Sequence, residues 1–254
     1  MEGFNPMRSN QTPGNVARRS RLLSAALAGG VGLMLLGAPS SDHLSIGLVQ
    51  PAMAQEAVPA ADDAPVVAPE AQGSVDVAKL MEPGPLPDVV IGEASAPVTI
   101  VEYASMTCSH CADFHVNTLP TLKKDYIDTG KAKLILREFP FDPRAVAAFM
   151  LARCAPDDKR TAMVDVLFQQ QDQWARAENA SQALLGIAKL AGFTQETFAA
   201  CLNDKALQAK VVEMQKRGET EFGVNATPTF FINGAKYPGA MSAAEFGAII
   251  AAAK

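Results

Sequence analysis

Val98-Thr99-Ile100-Val101-Glu102-Tyr103 runs into Ala104-Ser105-Met106-Thr107 and then into Cys108-Ser109-His110-Cys111. The first six residues are β-branched or aromatic enough for a buried strand. The small and polar residues after them end it, and a helix is expected over residues 108–128, with Gly130 as its C-terminal stop. Lys133-Leu134-Ile135-Leu136-Arg137-Glu138-Phe139 then reads as a second strand, closed by Pro140. Two strands joined through one helix make a β-α-β unit, whose strands pair in parallel through a right-handed crossover. The two cysteines therefore sit where a strand hands over to a helix.

Outward from this unit, residues 143–221 turn wholly helical, rich in Ala, Leu and Gln, with breaks near Pro156-Asp157, Gly192 and Asn203. Four or five short helices are expected there. Thr229-Phe230-Phe231-Ile232-Asn233-Gly234 is a strand entering a tight turn, because Asn-Gly is the strongest short hairpin signal. Residues 235–237 form the return strand, and residues 242–253 a terminal helix capped by Ser242. The order β-α-β, helical insert, β-β-α describes an α/β domain over residues 88–254, with the insertion at 143–221.

Cys108 lies at a helix N-terminus, where unpaired backbone N–H groups and a partial positive charge favour an anion. A thiolate there is stabilised below the ordinary range of a free cysteine. Two intervening residues, Ser109 and His110, let Cys111 reach Cys108 within one helical turn, and the His110 imidazole is a further candidate donor to the thiolate. A disulfide whose reduced form is stabilised in this way oxidises other thiols. Two blander readings compete. Half of a zinc site needs a second C-x-x-C or H-x-H cluster, which the sequence lacks. A purely structural bridge across two residues would be strained. Downstream, Ala226-Thr227-Pro228-Thr229-Phe230 opens a strand with a proline, compatible with either a cis or a trans peptide bond. In the cis form Thr227 would offer its backbone for strand-like pairing with a peptide.

The two motifs at this spacing, Ile100 through Cys111 and Ala226 through Gly234, together with the helical insert, resemble the DsbA family of thioredoxin-fold disulfide oxidoreductases. The resemblance implies a thioredoxin-like fold in which Cys108 is the exposed nucleophile, Cys111 its buried partner and Pro228 a cis-proline. It implies that Glu102, six residues before Cys108, is a buried acid that takes up the proton of Cys111. The alternative for Glu102 is a surface residue on a strand edge. The resemblance also implies clients among unfolded or folding exported proteins with free cysteines, a membrane redox partner that reoxidises the C-x-x-C, and no cofactor or metal. Two departures blur oxidase and isomerase: Ser109 replaces a proline common in strong oxidases, and Thr227 is typical of envelope isomerases. Those isomerases dimerise through a folded N-terminal domain, and here a Pro/Ala-rich tether is expected in that place, so a monomeric oxidase is favoured.

Of four cysteines, Cys154 and Cys201 remain in the insert. In an oxidising compartment they are expected to pair, with two buried thiols as the alternative. His115 is expected to face solvent without a role, and Trp174 to be a packing anchor.

The N-terminus reads as an address. Arg8, Arg18, Arg19 and Arg21 precede an uncharged apolar run over residues 22–38, and Ala52-Met53-Ala54 fits a small-residue cleavage site. Residues 1–54 are read as an export signal, with an uncleaved anchor as the alternative, which places the domain in the bacterial periplasm or cell envelope. Residues 55–87, rich in Ala, Pro, Asp and Glu, read as a flexible linker with at most one helical turn at 76–81, before Pro83, Pro85 and Pro87.

Composition agrees with a folded enzyme and narrows its partners. At 254 residues, 48% hydrophobic and 19% charged, the chain is neither disordered throughout, collagen-like nor a disulfide-dense mini-protein. With 22 basic against 27 acidic residues it has no electrostatic footprint for nucleic acid. The reading is an exported thiol:disulfide oxidase. Its rivals are an isomerase or reductase, and an envelope copper- or zinc-binding protein using Cys108, His110 and Cys111.

Overall fold

A computed structural model describes residues 66–253; the expected signal, residues 1–54, lies outside them. Five strands form one mixed sheet: β1 (Val89–Ile91), β2 (Val98–Ala104), β3 (Ala132–Glu138), β4 (Thr229–Ile232) and β5 (Ala235–Pro238). Their order is β1-β3-β2-β4-β5. β2 and β3 pair in parallel, Val98 opposite Ala132 through Ala104 opposite Glu138. The other pairings are antiparallel. β1 is a short edge strand that the sequence reading passed over. The β4–β5 turn is Asn233-Gly234, both residues with positive φ, as a tight hairpin requires.

α1 (Val77–Leu80) precedes the sheet, and α2 (Ser109–Asp113) follows β2. α2 continues through a π-turn (Phe114–Thr118), α3 (Leu119–Leu122) and a second π-turn (Lys123–Ile127) as one rod. The insert comprises α4 (Pro143–Cys154), a 3₁₀ turn (Asp157–Lys159), α5 (Arg160–Gln169), α6 (Gln171–Trp174), α7 (Ala180–Leu190), α8 (Gln195–Asn203) and α9 (Lys205–Phe222). That is six α-helices where four or five were expected. The break at Gln170 between α5 and α6 carries neither Gly nor Pro, so no local signal announces it. α10 (Ala243–Ala252) closes the domain, with Ser242 and Glu245 forming a capping box.

Strand alternation sorts the core. On β2, Val98 and Ile100 face the rod and α10, with Phe114, Leu122, Phe230 and Phe246. Val101 and Tyr103 face the opposite side, with Leu80, Phe139, Phe222 and Phe231. Glu102 falls on the same side as Ile100, which aims it at the rod that carries Cys111. The insert packs its own core around Phe149, Leu167, Phe168 and Trp174, continuous with Met106 and Cys111. Trp174 is fully buried and donates from Nε1 to the Leu167 carbonyl at 2.9 Å.

The flexible-linker expectation fails for residues 72–87. Gln72 N and Val75 N donate to the carbonyls of Lys236 and Gly234, extending the sheet beyond the β5 edge. Asp76 caps α1, and Leu80 and Leu86 are buried. Composition alone missed this because an open strand edge supplies backbone partners that the segment lacks by itself.

The structure joins Cys154 and Cys201 in a disulfide, linking the end of α4 to α8 across a separation of 47 residues. Among the described residues, no helix is long and apolar enough to cross a membrane.

Candidate active site at the mouth of the helical rod

Cys108 occupies the N-cap position of α2, in extended backbone, and is half-buried. Cys111 sits one turn along and is fully buried. Both are free thiols. The Cys108 thiol donates to the Thr227 carbonyl at 3.2 Å. The Thr227-Pro228 bond is cis. Thus two segments separated by more than a hundred residues meet at one sulfur, because β2 and β4 are neighbours in the sheet.

The two thiols are driven in opposite directions. Cys108 is lowered to about 5, first by the hydrogen bond it accepts from Cys111 as a thiolate, then by the Thr227 side chain and the backbone N–H groups of Cys111 and His110, against partial burial. The Thr227 hydroxyl is buried and otherwise unpaired, free to turn to the sulfur. The backbone donors are the unpaired N–H groups of a helix start. Cys111 is pushed far up, first by burial, then by its hydrogen bond to Cys108 and by the charge of Glu102. One sulfur is thereby a ready anion and the other a held thiol.

Glu102 is fully buried, not at a strand edge. Its Oε2 lies 2.9 Å from His115 Nε2. The expectation for His115 is corrected: it is buried rather than solvent-facing. It lies four positions after Cys111, and i, i+4 residues share one helix face, a signal that the sequence carries. The expectation for His110 is corrected in part. Its imidazole is exposed and makes no hydrogen bond to Cys108; the group that reaches the sulfur is its backbone N–H. Ser109 is also exposed.

Gln171 was not anticipated. From α6, its Nε2 donates to the Met106 carbonyl at 2.8 Å and the Cys108 carbonyl at 2.9 Å. It fastens the insert to the loop that presents Cys108. Thr107 beside it donates to Asp142, the residue that caps α4. Thr107, Asp142, Arg144, Gln171, Asp172 and Arg176 are among the residues lining a cleft of about 440 Å³ beside the Cys108 loop.

Residues 86–252 match the family model described as thioredoxin. The crystal structure of α-DsbA1 from Wolbachia pipientis superposes with a TM-score of 0.63 at 34% identity, over 68% of this chain and 94% of that one. The chain belongs to the DsbA family of thioredoxin-fold proteins. A Rickettsia conorii protein provisionally named as a protein-disulfide oxidoreductase is 37% identical over 153 residues, which are 58% of this chain and 53% of that protein. A Bacillus anthracis protein provisionally named disulfide bond formation protein D is 30% identical over 57% of this chain and 69% of its own length. The chain spans about half the length of the Rickettsia relatives it matches. For a DsbA-family chain, the sequence motifs named above converge: Cys108, Cys111, Thr227, Pro228 and Glu102 form one constellation, and the His110 and Ser109 side chains stand at its exposed rim.

Proposed function

We propose that this chain is an exported thiol:disulfide oxidoreductase that introduces disulfides into folding proteins. The observation that carries the reading is the opposed disposition of the two thiols, with Cys108 lowered to about 5 and Cys111 held protonated by burial. A stabilised Cys108 thiolate stabilises the reduced form, so the Cys108–Cys111 disulfide gives itself up readily to incoming thiols. A client thiolate attacks Cys108 Sγ, the Cys108–Cys111 bond breaks, and Cys111 leaves as a sulfur anion that takes a proton from Glu102. A second client thiolate then attacks the client sulfur of the mixed disulfide. The client disulfide forms, and Cys108 leaves as its stable thiolate. Two electrons pass from client to protein, and a membrane redox partner carrying a disulfide takes them up by exchange, its own disulfide being reduced as the Cys108–Cys111 bond is restored. The Thr227 backbone beside Cys108 is placed to pair with an extended client segment. A monomer in the periplasm or cell envelope, delivered by residues 1–54, suits this role.

Cys108→Ser is expected to abolish insulin-disulfide reduction and dithiol-peptide oxidation. Cys111→Ser is expected to accumulate mixed disulfides with clients, visible on non-reducing gels. Retained exchange in Cys108→Ser would reject the nucleophile. Thr227 before Pro228 favours a second reading, an isomerase or reductase. Refolding of scrambled ribonuclease separates the two, since an oxidase unscrambles poorly. Metal titration with thiol blocking tests the copper- or zinc-binding rival; among the described residues no group of three His, Cys, Asp or Glu side chains is placed to hold a metal ion.

A further inference from the structure

Beneath Cys111 lies a polar island in an otherwise apolar core. Glu102 and His115 hydrogen-bond at 2.9 Å, with both side chains essentially without solvent contact. Each keeps one buried polar atom with no partner, Oε1 of Glu102 and Nδ1 of His115. The ring of Phe168 from α5 stacks on the imidazole at 4.1 Å, with an interplanar angle of 18°. Phe114 packs against it edge-on. Asp165, one turn before Phe168 on α5, is a half-buried acid whose carboxyl is pushed up by burial and held back by His115 and Lys123. The charged and titratable groups around the imidazole are therefore Glu102 from β2, Asp165 from α5, and Cys111 and Lys123 on its own rod.

Apolar substitution would satisfy packing here, and an unpartnered buried polar atom costs about 1–3 kcal/mol. Two such atoms on one hydrogen-bonded pair, next to a thiol that must gain and lose a proton, call for a role in the chemistry. A carboxylate buried alone is costly, whereas one beside an imidazolium is a neutral pair. The pair can hold its one shared proton as imidazolium and carboxylate or as imidazole and acid, at constant total charge.

We propose that His115 is a positioning residue that keeps Glu102 available as the proton acceptor and donor for Cys111. This rests on the oxidoreductase reading above and deepens it. In the closing direction, Cys111 Sγ–H gives its proton to Glu102 Oε1. The thiolate attacks Cys108 Sγ, the bond from Cys108 to the client sulfur breaks, and the client leaves as thiolate. The Cys108–Cys111 disulfide forms, the client sulfur is reduced, and the extra proton rests on the Glu102–His115 pair. Without the imidazole, the Glu102 carboxylate would stand alone in the core, where burial disfavours the charged form that accepts the proton.

The test uses the full chain, reduced and mixed with excess oxidised glutathione, acid-quenched and weighed by mass spectrometry. Formation of the glutathione adduct on Cys108 reports the oxidoreductase reading. Closure of the adduct to the Cys108–Cys111 disulfide reports the present inference. His115→Gln is expected to slow closure about tenfold at neutral pH, one unit of proton affinity, with recovery as pH rises. Glu102→Gln is expected to slow closure without that recovery, and the double variant to be no slower than Glu102→Gln. A His115→Gln closure rate and pH profile matching the unsubstituted chain would overturn the proposal, as would multiplicative losses in the double variant. Absence of any adduct in the unsubstituted chain would instead remove the oxidoreductase reading. Should His115→Gln fail to fold, nitrogen-15 NMR of the His115 ring in the unsubstituted chain decides. Its two ring-nitrogen shifts are expected to titrate differently in the oxidised and reduced proteins, and identical curves would overturn the proposal.

Discussion

At the scale of single residues, the site is an exercise in unequal treatment of two identical side chains. Cys108 and Cys111 differ by one helical turn, yet one meets unpaired N–H groups and the other a dry core. The difference has a thermodynamic consequence. Cys108 in the folded reduced protein sits near 5, against about 8.5 for a free cysteine. A lowered group stabilises the fold in its anionic form, so this contribution is fully present above about pH 8.5 and is lost as pH falls through about 5. The oxidised protein lacks the titrating thiol altogether. The stability of the reduced form relative to the oxidised form is therefore expected to shrink as pH is lowered across that window, measured by urea unfolding of both forms. A gap that is flat with pH would mean that Cys108 is an ordinary thiol.

Among elements, close approach rather than propensity sets the geometry. Gly218 lies within α9, where a glycine normally weakens a helix relative to alanine by about 0.5–1 kcal/mol. A Cβ there would meet Tyr103 Cε1 at 2.7 Å. The packing term wins, so Gly218→Ala is expected to destabilise by about 1–3 kcal/mol in thermal or urea unfolding. A stabilised variant would show that α9 does not press on β2. The Cys154–Cys201 bridge ties α4 to α8 across 47 residues. Removing it as Cys154→Ala with Cys201→Ala is expected to cost about 2–4 kcal/mol through the freedom returned to the unfolded chain. An unchanged midpoint would show that the insert holds together without it.

For the whole molecule, the site exists because distant pieces of chain are brought to one end of the sheet. β2 delivers the Cys108 loop, β4 delivers Thr227-Pro228 beside it, and the insert is fastened to the Cys108 loop through Gln171. The segment before β1 contributes to the same framework. Leu80 is buried against Val101, Tyr103 and Phe231. Leu80→Ala is accordingly expected to destabilise the domain by about 2–5 kcal/mol, whereas a loose tether would tolerate it without change in the unfolding midpoint.

What was legible from residues alone follows from local physics. The β-branched run at 98–103, the Cys108–Cys111 spacing, the Asn233-Gly234 turn and the Ser242 cap each carry their geometry within a few neighbouring residues. Together with the paired motifs they sufficed for the fold and for the two sulfurs. Three features were not legible in that way. The stretch 72–87 found its partners on the β5 edge, Gln171 found two carbonyls more than sixty residues away, and His115 acquired Glu102 from another element. Hydrogen bonds and burial of this kind join groups with no fixed separation along the chain, so only the packed tertiary arrangement could decide them.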